Sequence, residues 1–336
     1  MRFGWTFRGG LDTAGEVKRL EAAGYEYLGA PDTQSLLPDV YCVLTDAAAA
    51  TQRVSLGPWA TNVSTRDPTV TAGAIATIDL VSGGRAFLAI GTGRSSTANA
   101  GLKPARPEQL ARALTTIFSA FRPTQGARAD LEWPPGLAVD DSVVPLPSWV
   151  SRRVPVLVAA SGPKALRIAA EMGDGVVLSP GDLPLDGAAA RIAELRAWRD
   201  AGPRAGDPFE IHQNLRCYLT DSVEEGRAAL RNVVSAHAAY ARPGDVPAEL
   251  REAQQQYLAS YRWDHHGAMS NPVNPEAMER LGLADFMYRR YAIIGDGPAI
   301  AAAVQALEFA GLDAVTGVPS GVVATYEPRS TTGPTS

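Results

Sequence analysis

The sequence has few of the features that place a chain in a specialised class. It contains only two cysteines, Cys42 and Cys217, which lie far apart and do not form the spacing of a metal site, so we expect both to be buried thiols. No apolar run reaches the ~20 residues that a membrane-spanning helix needs. The chain also begins with a strand pattern rather than a basic and apolar leader. We therefore expect a cytoplasmic protein with no membrane partner.

An excess of positive charge is also missing. The chain has 31 Lys and Arg residues against 36 Asp and Glu residues, a net charge of −5, so nothing marks a nucleic-acid binder. Histidine is scarce, with 4 residues in 336, and the polar strand ends described below contain none, so no metal site is predicted. What is present is a hydrophobic content of 46%, which suits the core of an enzyme-sized chain.

Short apolar segments alternate with helical patterns along most of the chain. Repeated βα units imply parallel strands with right-handed crossovers, and eight of them favour a closed (β/α)8 TIM barrel of the α/β class. An open doubly wound sheet is the rival, but the first βα turn, over residues 8–11, lacks the GxGxxG fingerprint of that fold. The predicted strands are Arg2–Arg8, Tyr25–Ala30, one from Val54, Arg85–Ile90, Pro155–Ala160, Gly175–Leu178, Glu210–Leu219 and Asp313–Val318.

Two segments interrupt this alternation. Residues 122–154 are rich in proline and residues 241–288 have an irregular pattern, so both are interpreted as insertions. Residues 329–336 are mostly Ser, Thr, Gly and Pro, which predicts a flexible tail. The predicted organisation is a single barrel domain over residues 1–328, followed by this tail.

The carboxyl ends of the predicted strands are polar and rich in glycine. In a (β/α)8 barrel these ends share one rim, where ligands bind. Two glycines, at 91 and 93, let a ligand approach the backbone, and successive amides can face an anion. A rim of hydroxyls and amides with few titratable groups suits a cofactor that carries the chemistry itself. The candidate cofactor-binding residues are Asp32, Thr61, Asn62, Arg66, Gly91, Thr92, Gly93, Arg94, Ser95, Ser161, Gly162 and Ser179.

Simpler roles are open for several of these residues. Arg66 could pair with Asp67 at the surface, and Asp32 could cap the turn that follows it. Trp5, at the end of the first strand, could fill the barrel rather than contact a substrate. A glycosidase would need two placed carboxylates, for which Asp32 and Asp39 are the only convenient pair. The glycine-rich strand ends would then have no purpose.

Three stretches resemble the luciferase-like superfamily of flavin- and coenzyme F420-dependent oxidoreductases. The first, Leu56–Ser96, contains TN-x-x-x-R-D-P, I-D-x-x-S-G-G-R and G-T-G-R-S, and the second is AASGPKALRIAAEMGDGVVL within Val154–Leu178. The third combines Asp264–Gly267 with Tyr291–Gly295. It resembles the F420-dependent branch that includes methylenetetrahydromethanopterin reductase and glucose-6-phosphate dehydrogenase. The resemblance covers nearly the whole chain, roughly residues 1–325.

The resemblance implies a barrel that binds a deazaflavin or flavin at its carboxyl face and transfers a hydride without a metal. It also implies a cis peptide bond between Trp59 and Ala60, behind the cofactor ring, which adds both residues to the cofactor site. Asp32 takes the position that contacts the ring in relatives, and Trp5 lies near the first strand end, so both are candidate catalytic residues. Thr33 replaces the histidine base of the sugar dehydrogenases, which argues against oxidation of a sugar hydroxyl.

We therefore expect an oxidoreductase that uses coenzyme F420 to transfer a hydride to or from a small organic substrate. An FMN-dependent monooxygenase, supplied with reduced flavin by a partner reductase, is one alternative. A non-catalytic ligand-binding or dimer-partner homologue is another. Relatives dimerise through helices near the second to fourth strands, and the alanine-rich helix predicted over Val40–Thr51 would permit close packing. A homodimer is therefore expected by analogy.

Overall fold

The chain forms two compact units. The computed structural model describes residues 1–34, 36–123, 133–134, 136–179, 181–183, 187–241, 243–265 and 272–318. Within these ranges, the first unit comprises Met1–Leu215 and Ala301–Val318, and the second comprises Arg216–Ile300. The predicted tail at 329–336 lies outside the described residues, and the single domain over 1–328 stays a prediction.

The strands of the described chain are β1 (Arg2–Thr6), β2 (Tyr27–Ala30), β3 (Ser55–Pro58), β4 (Thr61–Asn62), β5 (Leu88–Gly91), β6 (Val156–Ala159), β7 (Gly175–Leu178), β8 (Glu210–Leu215), β9 (Cys217–Leu219), β10 (Ile293–Gly295) and β11 (Ala314–Gly317).

The first unit is a barrel of parallel strands. Its sheet has the order β3-β2-β1-β11-β8-β7-β6-β5-β4, and β3 and β4 are separated only by Trp59 and Ala60. Leu56 of β3 also pairs with Ala86, just before β5, so the sheet closes on itself. The predicted (β/α)8 TIM barrel is confirmed.

Helices follow most of the barrel strands, and proline or a capping aspartate marks the start of several of them. Three begin with proline in the first turn, where an amide donor is not needed. Asp12, Asp39 and Asp67 each cap a helix by accepting a hydrogen bond from a backbone N–H. No helix within the described ranges is long and apolar enough to cross a membrane. The helices are α1 (Thr13–Ala22), α2 (Val40–Ala50), α3 (Pro68–Ser82), α4 (Ser95–Asn99), α5 (Pro107–Phe121), α6 (Pro163–Met172), α7 (Ala188–Asp200), α8 (Val223–Ala238), α9 (Arg251–Ser260), α10 (Val273–Arg280), α11 (Ala284–Tyr291) and α12 (Gly297–Phe309).

The interior of the barrel is filled by aromatic rings. The ring centroids of Tyr27 and Trp59 lie 5.5 Å apart, and Phe87 packs edge-on against both. The His212 ring lies 5.3 Å from that of Tyr27. Trp59 Nε1 donates to Asn214 Oδ1 at 2.6 Å, so the polar edge of the buried indole has a partner across the barrel.

The I-D-x-x-S-G-G-R motif is used to build the fold. The carboxylate of Asp79 accepts from Ala86 N at 3.0 Å and from Arg152 Nε at 2.9 Å. Gly83 ends α3 in the left-handed region, with φ 70°. Arg85 donates to two carbonyl oxygens at the carboxyl end of α2, at 3.0 and 2.9 Å. The residues of this motif therefore have structural roles: they terminate helices α2 and α3 and fix the backbone before β5.

The second unit has a small sheet and a core of its own. β9 and β10 pair in parallel, with Cys217 opposite Ile293. Its core is built from helices α8 to α11, and the side chains that are fully buried there include Leu230, Tyr257, Met278 and Met287.

Two sequence predictions need correction. The strand predicted over Glu210–Leu219 is two strands, because β8 ends at Leu215 and the following residues pair with β10 instead. The segment 241–288 contains helices α9 and α10 and most of α11, so its described part is more regular than predicted. The glycine turn after β5 continues into the short helix α4.

The two cysteines are more accessible than predicted. Cys42 is exposed, because it lies on the outer side of α2 while Tyr41, Val43 and Leu44 face the core. Cys217 is partly exposed, although burial still raises the pKa of its thiol to about 11. The expectation of two buried thiols is therefore wrong.

Candidate active site at the carboxyl rim

Asp32, Thr61 and Arg66 meet at the carboxyl rim of the barrel. Asp32 follows β2, Thr61 begins β4 and Arg66 lies just before α3. The Thr61 hydroxyl donates to Asp32 Oδ2 at 2.6 Å, and Arg66 Nη1 donates to the same oxygen at 3.0 Å. The Asp32 side chain is only 2% exposed, and a buried carboxylate needs such partners. The structure therefore brings these three predicted residues together.

The other edge of Arg66 faces the start of α2. Its Nη2 donates to Asp39 Oδ2, and its guanidinium carbon lies 5.0 Å from the centroid of the Tyr41 ring. Asp67 instead caps α3 by accepting from Thr69 N at 2.8 Å. The surface pair between Arg66 and Asp67, which the sequence left open, is not formed in the described structure.

Arg66 is the shared cation between two acids, Asp32 and Asp39. Burial would lower the pKa of the Arg66 guanidinium, but the charges of Asp32 and Asp39 raise it above its ordinary value. Burial would raise the pKa of Asp39, but the hydrogen bond from Cys42 N and the charge of Arg66 bring it below its ordinary value. Burial raises the pKa of Tyr41 to about 12. At neutral pH Arg66 is positive, Asp39 is negative and Tyr41 is neutral.

One acceptor oxygen at the rim is left open. Both hydrogen bonds that the described residues make to Asp32 go to Oδ2, so Oδ1 has no partner among them. Gln213 Oε1 is buried and also lacks a partner within the described ranges, but Gln213 alternates along β8 with the inward-facing His212 and Asn214, so it lies on the outer face of the strand. An unpartnered acceptor at the rim calls for a donor, and the N–H groups of a deazaflavin or flavin ring are donors of that kind.

Asn62 is fully occupied within the protein. Its Oδ1 accepts from the backbone N–H groups of Ser64 and Thr65, both at 2.9 Å, and its Nδ2 donates to Ser96 Oγ at 3.1 Å. Gly93 packs against it with φ 76°, and a Cβ added at Gly93 would lie 2.9 Å from the Asn62 Cβ. The glycine at 93 is therefore required by this turn itself. These contacts shape the rim between β4 and β5.

The remaining predicted residues lie along the same rim. The hydroxyls of Ser161 and Ser179 approach to 3.4 Å. Gly91 ends β5, and its carbonyl accepts from Val63 N at 3.2 Å. Gly162 precedes α6, and a Cβ added there would meet nothing within 4 Å. The rim is therefore locally open at Gly162.

Three residues after β5 contribute differently. The carbonyl of Thr92 accepts from Ala105 N at 2.9 Å, which ties the turn to the loop before α5. Arg94 is exposed at the start of α4. Ser95 is the first residue of α4, and its side chain lies outside the described part of the chain.

The Trp59–Ala60 peptide bond is cis, as the family resemblance implied. The Trp59 side chain is 6% exposed and lies in the barrel interior. A Cβ added at Gly29 of β2 would lie 2.4 Å from the Cβ of Trp59, so β2 approaches Trp59 closely at this glycine. The indole therefore fills the barrel, and a contact of Trp59 with a cofactor would come from its backbone.

Trp5 does not join the cluster. Tyr27 covers Gly4 inside the barrel, since a Cβ at Gly4 would lie 2.2 Å from that ring. Side chains alternate along a strand, so Trp5 points to the outer face. Its ring packs over Gly317 and lies 5.5 Å from the Tyr25 ring. This position gives no support to the predicted catalytic role of Trp5, which stays untested.

Sequence reasoning missed three residues at or near the rim. Asn214 was hidden inside a strand predicted to run to Leu219, although β8 ends at the next residue. Asp39 and Tyr41 flank the start of α2, and an aspartate directly before a helix is the signal that marks a cap. The second oxygen of such a cap is available to another partner.

A cavity of about 600 Å³ lies at the opposite, amino-terminal end of the barrel. Its charged lining is paired within the protein. Arg2 binds Glu210 at 2.9 Å, and Arg153 and Arg204 bind Asp174 at 2.6 and 2.9 Å. This end of a (β/α)8 barrel is usually devoted to stability, and the saturated ion pairs agree with that role. No cluster of three His, Cys, Asp or Glu residues within the described ranges could hold a metal ion.

The closed barrel and the open acceptor at its carboxyl rim define a (β/α)8 enzyme that could hold a ring cofactor there. The sequence matches the luciferase-like monooxygenase family over residues 11–314. The chain belongs to this family, and it is an enzyme of the oxidoreductase class.

Individual relatives agree with this assignment. The 5,10-methylenetetrahydromethanopterin reductase of Archaeoglobus fulgidus is 28% identical over 270 residues, covering 77% of this chain and 70% of that one. The F420-dependent tetrahydromethanopterin reductase of Methanopyrus kandleri has a similar fold, with a TM-score of 0.67 and 20% identity over 95% of this chain and 94% of that one. An F420-dependent secondary alcohol dehydrogenase, in complex with an F420–acetone adduct, has a TM-score of 0.68 and 14% identity over 94% and 93%. The resemblance to this family and its reductase branch is confirmed, while the two structures speak for the fold alone.

Proposed function

We propose that this protein is a cytoplasmic oxidoreductase that uses coenzyme F420 to transfer a hydride to or from a small organic substrate. The observation that carries the proposal is Asp32, a buried carboxylate with one oxygen fixed by Thr61 and Arg66 and the other open. The sequence is 27% identical to the methylenetetrahydromethanopterin reductase of Methanopyrus kandleri over 331 residues, and the F420 dependence of that organism's reductase supports F420 over FMN.

The chain's own residues would bind and orient the cofactor. Asp32 Oδ1 would accept a hydrogen bond from a ring N–H group. Ser161 and Ser179 would line the same rim, with open space at Gly162. When bound, the deazaflavin would supply the carbon that gives or takes the hydride. The protein's task is then to hold the ring and to exclude water from its face.

The choice of cofactor has a direct test. Titration of the purified protein with F420 and with FMN, followed by fluorescence and absorbance, is expected to give binding at least about tenfold tighter for F420. The physical reason is that F420 combines the ring with a phosphodiester and several carboxylates, which Arg94 and the amides of the 91–96 turn could meet. Riboflavin and a polyglutamate peptide are suitable controls for the ring and the tail separately.

An FMN-dependent monooxygenase remains the second candidate function, because the matched family bears that name. Tighter binding of FMN than of F420 would contradict the F420 proposal and favour this alternative. Reduced FMN and oxygen should then be consumed together in the presence of substrate.

We also propose that the protein is a homodimer that associates through α2 and α3. The outer side of α3 exposes Val70 (59%), Leu80 (59%) and Val81 (42%) without a charged side chain between them. An apolar stripe of this kind on a surface helix often marks an interface. On α2 the exposed positions Cys42, Thr45 and Ala49 adjoin a single charged side chain, Asp46.

Leu80→Asp is expected to convert the dimer into a monomer, or to weaken association by at least about tenfold, because it buries a charge in an apolar contact. Light scattering coupled to size-exclusion chromatography measures the change. Leu11→Asp is the matched control, since Leu11 is fully exposed in the loop before α1. A monomeric wild-type protein, or equal behaviour of both variants, would contradict the interface.

A further inference from the structure

The first turn of α2 is tied to the candidate site through Asp39. Its Oδ1 caps the helix by accepting from Tyr41 N at 2.9 Å and from Cys42 N at 3.2 Å. Its other oxygen, Oδ2, accepts from Arg66 Nη2. Asp39 therefore uses one oxygen for the helix and the other for the arginine, and it fixes the guanidinium relative to α2.

Tyr41 holds the flat side of the same guanidinium. The Arg66 Cζ lies 5.0 Å from the centroid of the ring, within the range of a cation–π contact. Tyr41 is 9% exposed, so its ring is packed in place by the core of the first unit. The hydrogen bond that Arg66 donates to Asp39 and the face contact with Tyr41 together define both the position and the tilt of Arg66.

The orientation of Asp32 follows from that of Arg66. Arg66 Nη1 and the Thr61 hydroxyl both donate to Asp32 Oδ2, at 3.0 and 2.6 Å. Rotation of the carboxylate would break both hydrogen bonds, so Oδ1 remains the oxygen without a partner among the described residues. Asp39 binds Arg66, and Arg66 binds Asp32, so Asp39 determines the direction of the open oxygen Oδ1 of Asp32 without touching it.

We propose that Asp39 and Tyr41 are positioning residues of this site, which act through Arg66 to orient the open oxygen of Asp32 toward a bound ring cofactor. This inference rests on the proposed function. It assigns a role in the site to the amino-terminal turn of α2, although neither residue would touch the ring.

Asp39→Asn tests the proposal with a small change. The asparagine oxygen can still cap α2, but its uncharged amide no longer attracts Arg66. We expect the dissociation constant for F420 to rise about tenfold, and Asp32 to rotate in a crystal structure of the cofactor-free variant, so that its Oδ2 loses the contact with Arg66 Nη1. Asp67→Asn is the matched control, because Asp67 caps α3 in the same way and belongs to no part of the cluster.

A second pair of variants separates the ring of Tyr41 from general packing. Tyr41→Leu is expected to weaken F420 binding by about three- to tenfold, since it removes the aromatic face under Arg66. Tyr41→Phe keeps that face and should restore most of the lost affinity. Thermal unfolding of all four variants measures their stability independently of the cofactor.

The proposal fails if Asp39→Asn binds F420 as tightly as the wild type and retains the contact between Arg66 and Asp32 in its crystal structure. An equal loss of affinity in Asp39→Asn and Asp67→Asn would also overturn it, because helix capping alone would then explain the effect. If the wild type binds FMN instead, the same titrations use FMN. If it binds neither cofactor, the proposed function fails, and the cofactor-free structure alone decides whether Asp39 positions Asp32.

Discussion

Replacing Asp32 with alanine is expected to weaken F420 binding by at least about 100-fold, or roughly 3 kcal/mol. The substitution removes the open oxygen Oδ1 that would accept from the ring. It also removes Oδ2, so Arg66 loses the acceptor of its Nη1 and Thr61 loses the acceptor of its hydroxyl. Truncating one partner of a buried charged pair is costly because the other charge stays behind. Fluorescence titration with F420 measures the change.

Two variants show whether the effect belongs to the carboxylate. Asp32→Asn keeps the shape and one acceptor oxygen but loses the charge that Arg66 balances, so its affinity should fall between those of the wild type and Asp32→Ala. Asp200→Ala removes an exposed aspartate at the end of α7, and it should bind as the wild type does. Binding of F420 by Asp32→Ala within about threefold of the wild type would contradict a ring contact through this residue.

The barrel could be predicted because its local signals agree with its tertiary structure. The strand predicted over Gly175–Leu178 matches β7 at both ends, since a short apolar run between helices fits a strand covered on both faces. The strand over Glu210–Leu219 was drawn too long because its residues favour extended structure throughout. Only pairing with β10, far along the chain, assigns its second half to another sheet.

The candidate site was predictable where it lies at strand ends. Asp32, Thr61 and Arg66 follow strands whose ends share one rim, so their meeting follows from the topology.

Trp5 shows the limit of this reasoning. Alternation along β1 defines two faces but not which of them is inside, and the Tyr27 ring over Gly4 decides it. Asp39 was missed as a site residue because its partnership with Arg66 depends on the path of the loop after β2.

Asp174→Ala is expected to reduce the free energy of unfolding by about 3–5 kcal/mol, the largest stability effect of the substitutions considered. Asp174 lies directly before β7 at the amino-terminal end of the barrel. Its two oxygens accept from Arg153 at 2.6 and 2.8 Å, from Arg204 at 2.9 Å and from Val156 N at 2.7 Å. Urea unfolding followed by tryptophan fluorescence measures the loss.

The cost is large because the cations around Asp174 are buried. The Arg204 side chain is 2% exposed. Burial and the charge of Arg204 together lower the pKa of the neighbouring Arg199 to about 10. Without Asp174, the guanidinium groups of Arg153 and Arg204 would lose the carboxylate that they share and would repel each other. Asp207 would still bind Arg204. Glu171→Ala is the matched control, since it breaks an exposed ion pair with Arg167, which is expected to cost less than about 1 kcal/mol.

The stabilisation by Asp174 should also depend on pH in a defined direction. Burial would raise the pKa of this carboxyl, but the hydrogen bonds and charges of Arg153 and Arg204 hold it below its ordinary value of 3.8. A carboxyl whose pKa is lower in the folded chain stabilises it fully above the unfolded pKa, and this contribution is lost as the pH falls through the folded pKa. The difference in unfolding free energy between the wild type and Asp174→Ala should therefore be constant from pH 7 to 5 and shrink below pH 3.8. A difference that shrinks instead between pH 7 and 5 would mean that another group controls this network.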